Sequence, residues 1–167
     1  DLNIVTQAEM LEYYEGLRLS LARTSYAAYA VELLDRFTVD EDPHSGIYRL
    51  LTEALGWLAE APDLLLAARY YELRLLSLAG FQPQLFRCVR CQEPIEEQDQ
   101  FFSAELGGLL CPKCKQADRR ANPITAVSLK VLRYLQTRDW QTVSALKLRP
   151  AVHQELEAIM QFYLTYI

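Results

Sequence analysis

The sequence predicts a mostly α fold: a helical bundle interrupted by an inserted four-cysteine zinc module that contains a short β-hairpin. Two observations carry this. Apolar residues recur at helical spacing over most of the 167 residues. The pattern breaks between about 85 and 120, where two C-x-x-C pairs frame short β-rich runs. We expect three segments: a first helical part over 1–84, the four-cysteine module over 85–120, and a C-terminal helical part over 121–167.

Taken in order, Thr6-Gln7-Ala8-Glu9 fits a capping box and predicts a helix running to about Tyr14–Gly16. A long helix is expected from Leu17 to Phe37, with Tyr26, Tyr29, Ala30, Leu33, Leu34 and Phe37 on one stripe. Asp40-Glu41-Asp42-Pro43 ends it. A third helix is expected over Ser45–Ala61. Pro62-Asp63 starts a fourth, which continues to Ala79 and stops at Gly80, a residue suited to a left-handed cap. Phe101-Phe102-Ser103 and Gly107-Gly108-Leu109-Leu110 read as two strands around a glycine turn. Asn122-Pro123 then precedes a helix over Thr125–Thr137, and a turn near Val143–Lys147 leads to a last helix from Pro150 to Tyr166.

Cys88, Cys91, Cys111 and Cys114 are the only cysteines, with nineteen residues between the pairs. Each C-x-x-C puts two sulfurs on one tight turn, and two such turns close a tetrahedron around one structural Zn²⁺. Two disulfides are the alternative, but each would close only a tiny loop, a poor way to stabilise a domain. Tetrahedral sulfur also suits iron, yet nothing else in the chain resembles electron-transfer machinery. A catalytic zinc would keep a position open for water. The two histidines, His44 and His153, have no ligand spacing.

Charge divides the chain. Residues 1–86 hold 6 basic and 13 acidic side chains, and residues 87–167 hold 11 and 9, which together give the net −5. Arg87, Arg90, Lys113, Lys115, Arg119 and Arg120 crowd the metal turns. Such a cluster suits phosphate contacts, and equally suits neutralising thiolates. The acidic first half should repel nucleic acid, so strong DNA binding by this chain alone is not expected. The ten tyrosines could offer stacking platforms, but Tyr26, Tyr29, Tyr70 and Tyr71 fall within apolar helical patterns and read as core. No phosphate-cradling loop, H-E-x-x-H or G-x-S-x-G motif occurs, so an enzyme is not expected. No run approaches a membrane span, and cysteines in metal spacing suggest the cytoplasm. The start at Asp1, followed by apolar Leu2, Ile4 and Val5, reads as a fragment of a longer protein.

Three stretches carry a family resemblance. The first is Ile4-Val5-Thr6-Gln7-Ala8-Glu9, with Tyr26-Ala27-Ala28-Tyr29 and Glu32-Leu33-Leu34-Asp35-Arg36. The second is Arg69-Tyr70-Tyr71-Glu72-Leu73-Arg74-Leu75-Leu76-Ser77-Leu78-Ala79-Gly80-Phe81-Gln82-Pro83. The third joins Cys88-Val89-Arg90-Cys91 to Phe101-Phe102-Ser103, Gly107-Gly108-Leu109-Leu110-Cys111 and Cys114. In this order, over nearly the whole chain, they resemble the C-terminal part of RecO, the bacterial recombination and repair mediators.

The resemblance implies a helical domain with a zinc site, preceded in the intact protein by an OB-fold barrel that is missing here. It implies binding and annealing of DNA, mainly through that barrel, and loading of RecA together with RecR. It also implies recognition of the acidic C-terminal tail of single-stranded-DNA-binding protein. Arg69 lies in one helical row with Leu66, Leu73 and Leu76. By the resemblance Arg69 would grip the tail's carboxylate, with Leu73 and Leu51 as groove walls. The alternative is an arginine whose stem covers the core while its head reaches water or an acid. Other functional classes stay open: a zinc-stabilised helical adaptor or transcription-associated domain, or an enzyme subunit whose zinc holds a lid.

Overall fold

The computed structural model describes residues 4, 6–38 and 45–167. After a 3₁₀ turn at Glu15–Leu19 come α1 (Leu21–Phe37), α2 (Ser45–Glu60) and α3 (Leu64–Leu78). A three-stranded antiparallel sheet follows, built from β1 (Gln100–Ser103), β2 (Gly108–Leu110) and β3 (Asn122–Ile124) in the order β2-β1-β3. A second 3₁₀ turn, Pro112–Ala117, lies between β2 and β3. The chain closes with α4 (Ala126–Thr137), the one-turn α5 (Trp140–Val143) and α6 (Pro150–Tyr166). The architecture is mostly helical with a small antiparallel sheet, as the periodicity predicts.

The central helix is α3. Every residue from Leu66 to Leu73 is buried, because α1, α2, α4 and α6 all pack around it. A helix enclosed on all sides must pair the charges it carries, here Arg69 with Glu72. Asp63 caps it, accepting from Leu66 N at 3.0 Å, and Gly80 ends it at φ 83° as expected. The sheet packs on the same core: Phe102, Leu109, Leu110 and Ile124 are buried together with Leu73, Leu76 and Tyr163. Arg133 of α4 straps the linker between α3 and the sheet, donating to Leu85 O (2.8 Å) and Ile95 O (3.2 Å).

Three expectations are corrected. The helix from Thr6 to Gly16 is absent: residues 6–14 have no regular structure, and the only helical element there is the 3₁₀ turn. Met10 and Leu11 are exposed, Leu11 at 88 %, so a helix there would have no surface to bury against. Short unpacked helices are marginal in water, whatever their cap. The long helix from Leu17 is broken at Ser20, which turns extended (φ −152°, ψ 147°) and caps α1 by accepting from Arg23 N at 3.2 Å. Asn122-Pro123 is not merely a lead-in to α4 but part of β3, in register with Phe101 and Phe102. The sheet therefore extends past residue 120. The expected stop at Asp40–Pro43 and His44 lie outside the described residues.

Candidate metal centre and its surroundings

The linker after α3 folds into a tight turn over Cys88–Cys91. Gln92 N donates to Cys88 O and Cys88 N to Glu93 O, both at 2.9 Å, with Gln92 left-handed at φ 62°. Val89 N donates to Leu109 O (2.8 Å), which ties this turn to β2. The second turn begins where β2 ends. Cys111 precedes the 3₁₀ turn, Pro112 takes its first position, and Cys114 N donates to Cys111 O at 2.8 Å. Gly108 lets the two parts close: a Cβ there would stand 2.5 Å from Gln84 O.

The four sulfurs lie within 4.8 Å of one another, and Cys91 Sγ is 3.9 Å from Cys111 Sγ. All four thiols are free, and this separation is far beyond the roughly 2.05 Å of a disulfide. A tetrahedral zinc with Zn–S near 2.3 Å needs sulfurs about 3.8 Å apart. The donor set and spacing therefore fit a metal ion. Cys88 is buried and Cys91 exposed, so such an ion would sit at the edge of the molecule.

The sulfurs are electrostatically distinct. Burial pushes the Cys88 thiol up, but hydrogen bonds from the backbone of Cys91, Cys111 and Arg90 outweigh it and hold the thiol near 6. One of these is Cys111 N to Cys88 Sγ at 3.5 Å. Cys114 is pushed up to about 12, first by its hydrogen bond with Cys111 and then by burial and the other sulfurs. Four thiolates this close ionise together only around a cation.

The six basic residues near the turns are all exposed, but they do not form one uniform patch. Arg87 donates to Gln92 O (2.9 Å), and Lys115 lies over the Phe101 ring at 4.6 Å. Arg120 pairs with Glu105 (3.2 Å), and Lys113 borders a recess with Glu93 and Glu96. Arg90 and Arg119 are exposed elsewhere on the module. His153 lies elsewhere: its Nε2 is 3.0 Å from Asp63 Oδ2, joining α6 to the start of α3.

Arg69 is not displayed in a surface groove. It is 3 % exposed, and its Nη2 lies 2.8 Å from Glu72 Oε1, which also accepts from Tyr29 Oη at 2.6 Å. Of the two readings of its helical row, the structure shows the stem in the core and the head on an acid. Leu73 is buried and Leu51 half-buried. The reason is the enclosure of α3: a row that reads as a boundary between core and water becomes interior when neighbours cover both sides.

One cluster has no signal in the sequence pattern. Trp57 and Trp140 stack at 5.1 Å with Tyr70 against both, and Arg74 lies over the Tyr70 ring at 4.9 Å. Tyr70 donates to Arg138 O (3.1 Å), and Arg74 donates to the same carbonyl. The tryptophans are far apart in sequence, so only the docking of α5 on α2 and α3 brings them together.

Comparison with known proteins settles the family. The family described as "Recombination protein O C terminal" matches residues 18–166. The chain belongs to this family. It is 37 % identical over its whole length to a "DNA repair protein RecO" of Roseiflexus sp. (strain RS-1), covering 59 % of that protein. It is 29 % identical to the protein of that name from Dehalococcoides mccartyi, strain 195, covering 65 % of it. A third, from Alkaliphilus metalliredigens, is 31 % identical over 164 residues. The chain thus spans roughly three-fifths of the length of these relatives. Among the described residues, no helix is long and apolar enough to cross a membrane.

Proposed function

We propose that this chain is the helical and zinc-bearing part of a RecO-type recombination mediator acting in DNA repair in the cytoplasm. Its role is to support DNA binding and annealing, and RecA loading, through contacts with RecR and with single-stranded-DNA-binding protein. The observation that carries this reading is the family match over residues 18–166. The proposed cofactor is one structural zinc held by Cys88, Cys91, Cys111 and Cys114. With four thiolates as ligands, the ion has no open position for substrate and serves to tie the two turns to β2. Arg87, Arg90, Lys113, Lys115, Arg119 and Arg120 are the proposed phosphate contacts. They are secondary ones, since Arg120 pairs with Glu105 and Lys113 shares a recess with Glu93 and Glu96. Contact between Arg69 and an acidic tail would require Glu72 to give up the guanidinium, so Leu51 is the more accessible member of that set.

The test measures elemental zinc, then anisotropy of labelled single-stranded DNA and of an acidic tail peptide, at two salt concentrations. One tightly held zinc per chain, and weak DNA binding that falls steeply with salt, are expected. Lys113→Glu with Lys115→Glu should weaken the DNA signal several-fold and flatten its salt slope. A chain that holds no zinc, and ignores both strand and peptide, overturns the proposal.

The mixed charge around the metal turns favours one other reading, a zinc-stabilised protein-interaction domain. Retained zinc and peptide binding without any DNA binding would select it.

A further inference from the structure

Beside the metal turns lies a recess of about 160 Å³, bordered by Cys91 and Cys111. Its lining includes Gln100, the first residue of β1, which is 1 % exposed. The Gln100 Nε2 donates to Glu96 O at 3.1 Å, which fixes the orientation of the amide. The other end, Oε1, is buried and has no hydrogen-bond partner among the described residues. A buried carbonyl oxygen without a partner is costly and calls for a donor. Glu93 and Glu96, both exposed, stand on the same recess, while Pro94 and Pro112 contribute apolar walls. Lys113 is the one cation among these lining residues.

We propose that this recess is a socket for an arginine side chain of a partner polypeptide. The occupant must donate several hydrogen bonds and carry positive charge to meet Gln100 Oε1 and two carboxylates. It must also offer apolar stem or planar surface to the prolines. Guanidinium has five donors in a rigid fork on a methylene stem. An ammonium concentrates its charge at one point and leaves part of this spread of acceptors unmet. A hard metal cation needs six or more oxygens and gains nothing from proline walls. Nucleic acid is disfavoured by Glu93 and Glu96. With a divalent ion bound, the four thiolates would carry a net −2 beside the socket, which further favours a cation.

The inference does not depend on DNA binding, so the two can fail separately. The zinc-loaded chain is followed by ¹⁵N-resolved NMR during titration with Nα-acetyl-arginine amide. Nα-acetyl-citrulline amide and Nα-acetyl-lysine amide serve as comparisons, and zinc is assayed in every sample. The expected result is a saturable shift of the Gln100 side-chain amide and of residues 93–98. Citrulline should bind at least tenfold more weakly, and lysine several-fold more weakly. Glu93→Gln with Glu96→Gln, both surface changes, should weaken arginine binding at least tenfold with zinc content unchanged. No shift at Gln100, equal binding of citrulline or lysine, or an unaffected double variant each overturns the proposal.

Discussion

Arg69 and Glu72 form an ion pair inside the core, and cutting it one side at a time should be far more harmful than removing it whole. Their side chains are 4 % and 0 % exposed, and they meet at 2.8 Å. Arg69→Met leaves a buried carboxyl held only by Tyr29, and loss of one partner of such a pair costs about 3–5 kcal/mol. Against the roughly 5–15 kcal/mol typical of a whole domain, that is a large fraction. The pair itself is incompletely satisfied: Arg69 Nε and Nη1 and Glu72 Oε2 find no partner among the described residues. Arg69→Met with Glu72→Leu, together with Tyr29→Phe, should therefore recover most of the loss and end within about 1–2 kcal/mol of the parent.

The pH dependence gives an independent check. Burial raises the Glu72 carboxyl from 4.5 to about 7, despite the opposing pull of Arg69 and the Tyr29 hydroxyl. A folded-state value above the unfolded one means the folded chain binds the proton more tightly. The associated stability is fully present below about 4.5 and is lost as pH rises through about 7. Removing Arg69 takes away a cation that holds the carboxyl down, so the value rises further. The loss in Arg69→Met should be larger at pH 8 than at pH 5. Urea unfolding at the two pH values, at constant m, measures it. A single substitution costing under about 1 kcal/mol, or a triple variant less stable than the single, would refute the reasoning.

Four further outcomes are expected. Cys91→Ser should release the metal and loosen residues 85–120 while most far-ultraviolet helical signal persists; elemental analysis and hydrogen exchange check it. Lowering the pH should also release the ion, because its ligands must be thiolates; zinc released to a chromogenic chelator reads this. Gly108→Ala should destabilise by about 2 kcal/mol or more, since its Cβ meets the Gln84 backbone; thermal melts measure the loss. Glu155→Ala should cost about 1.5–3 kcal/mol in urea unfolding, because this carboxylate accepts from Thr125 N (2.6 Å), Thr125 Oγ1 (2.7 Å) and the buried Ser128 Oγ (2.5 Å) at the start of α4.

Local chemistry is legible wherever the chain itself carries the signal. Asp63 and Gly80 bound α3, Pro150 opens α6, and two C-x-x-C turns bring four sulfurs together, because each depends on residues a few positions apart. The hairpin around Gly107 belongs to the same class. What the sequence does not reveal is the supply of neighbours. The capping residues at Thr6 and Glu9 are sound, but Leu11 finds no surface to bury against among the described residues, so no helix forms. Ser20 fits a continuous helical pattern, yet it caps α1 instead. Asn122–Ile124 becomes a strand only because β1 offers an open edge. Arg69 reads as a boundary residue because a row along one helix does not show how many helices surround it.

Tyr163 of α6 has its ring edge-on to Phe102 of β1 (5.4 Å between centroids), while its hydroxyl donates to Phe81 O just past α3 (2.9 Å). One side chain thus fastens the sheet, the exit of the central helix and the C-terminal helix to one another. The cysteine-bearing stretch is consequently not a cassette that relatives can exchange at will. A chimera taking residues 85–124 from a relative should inherit a mismatched Phe102 seat unless the second half of α6 travels with it. Phe102 and Tyr163, far apart in the chain, share one packing site, so a change in the size of either ring is felt by the other.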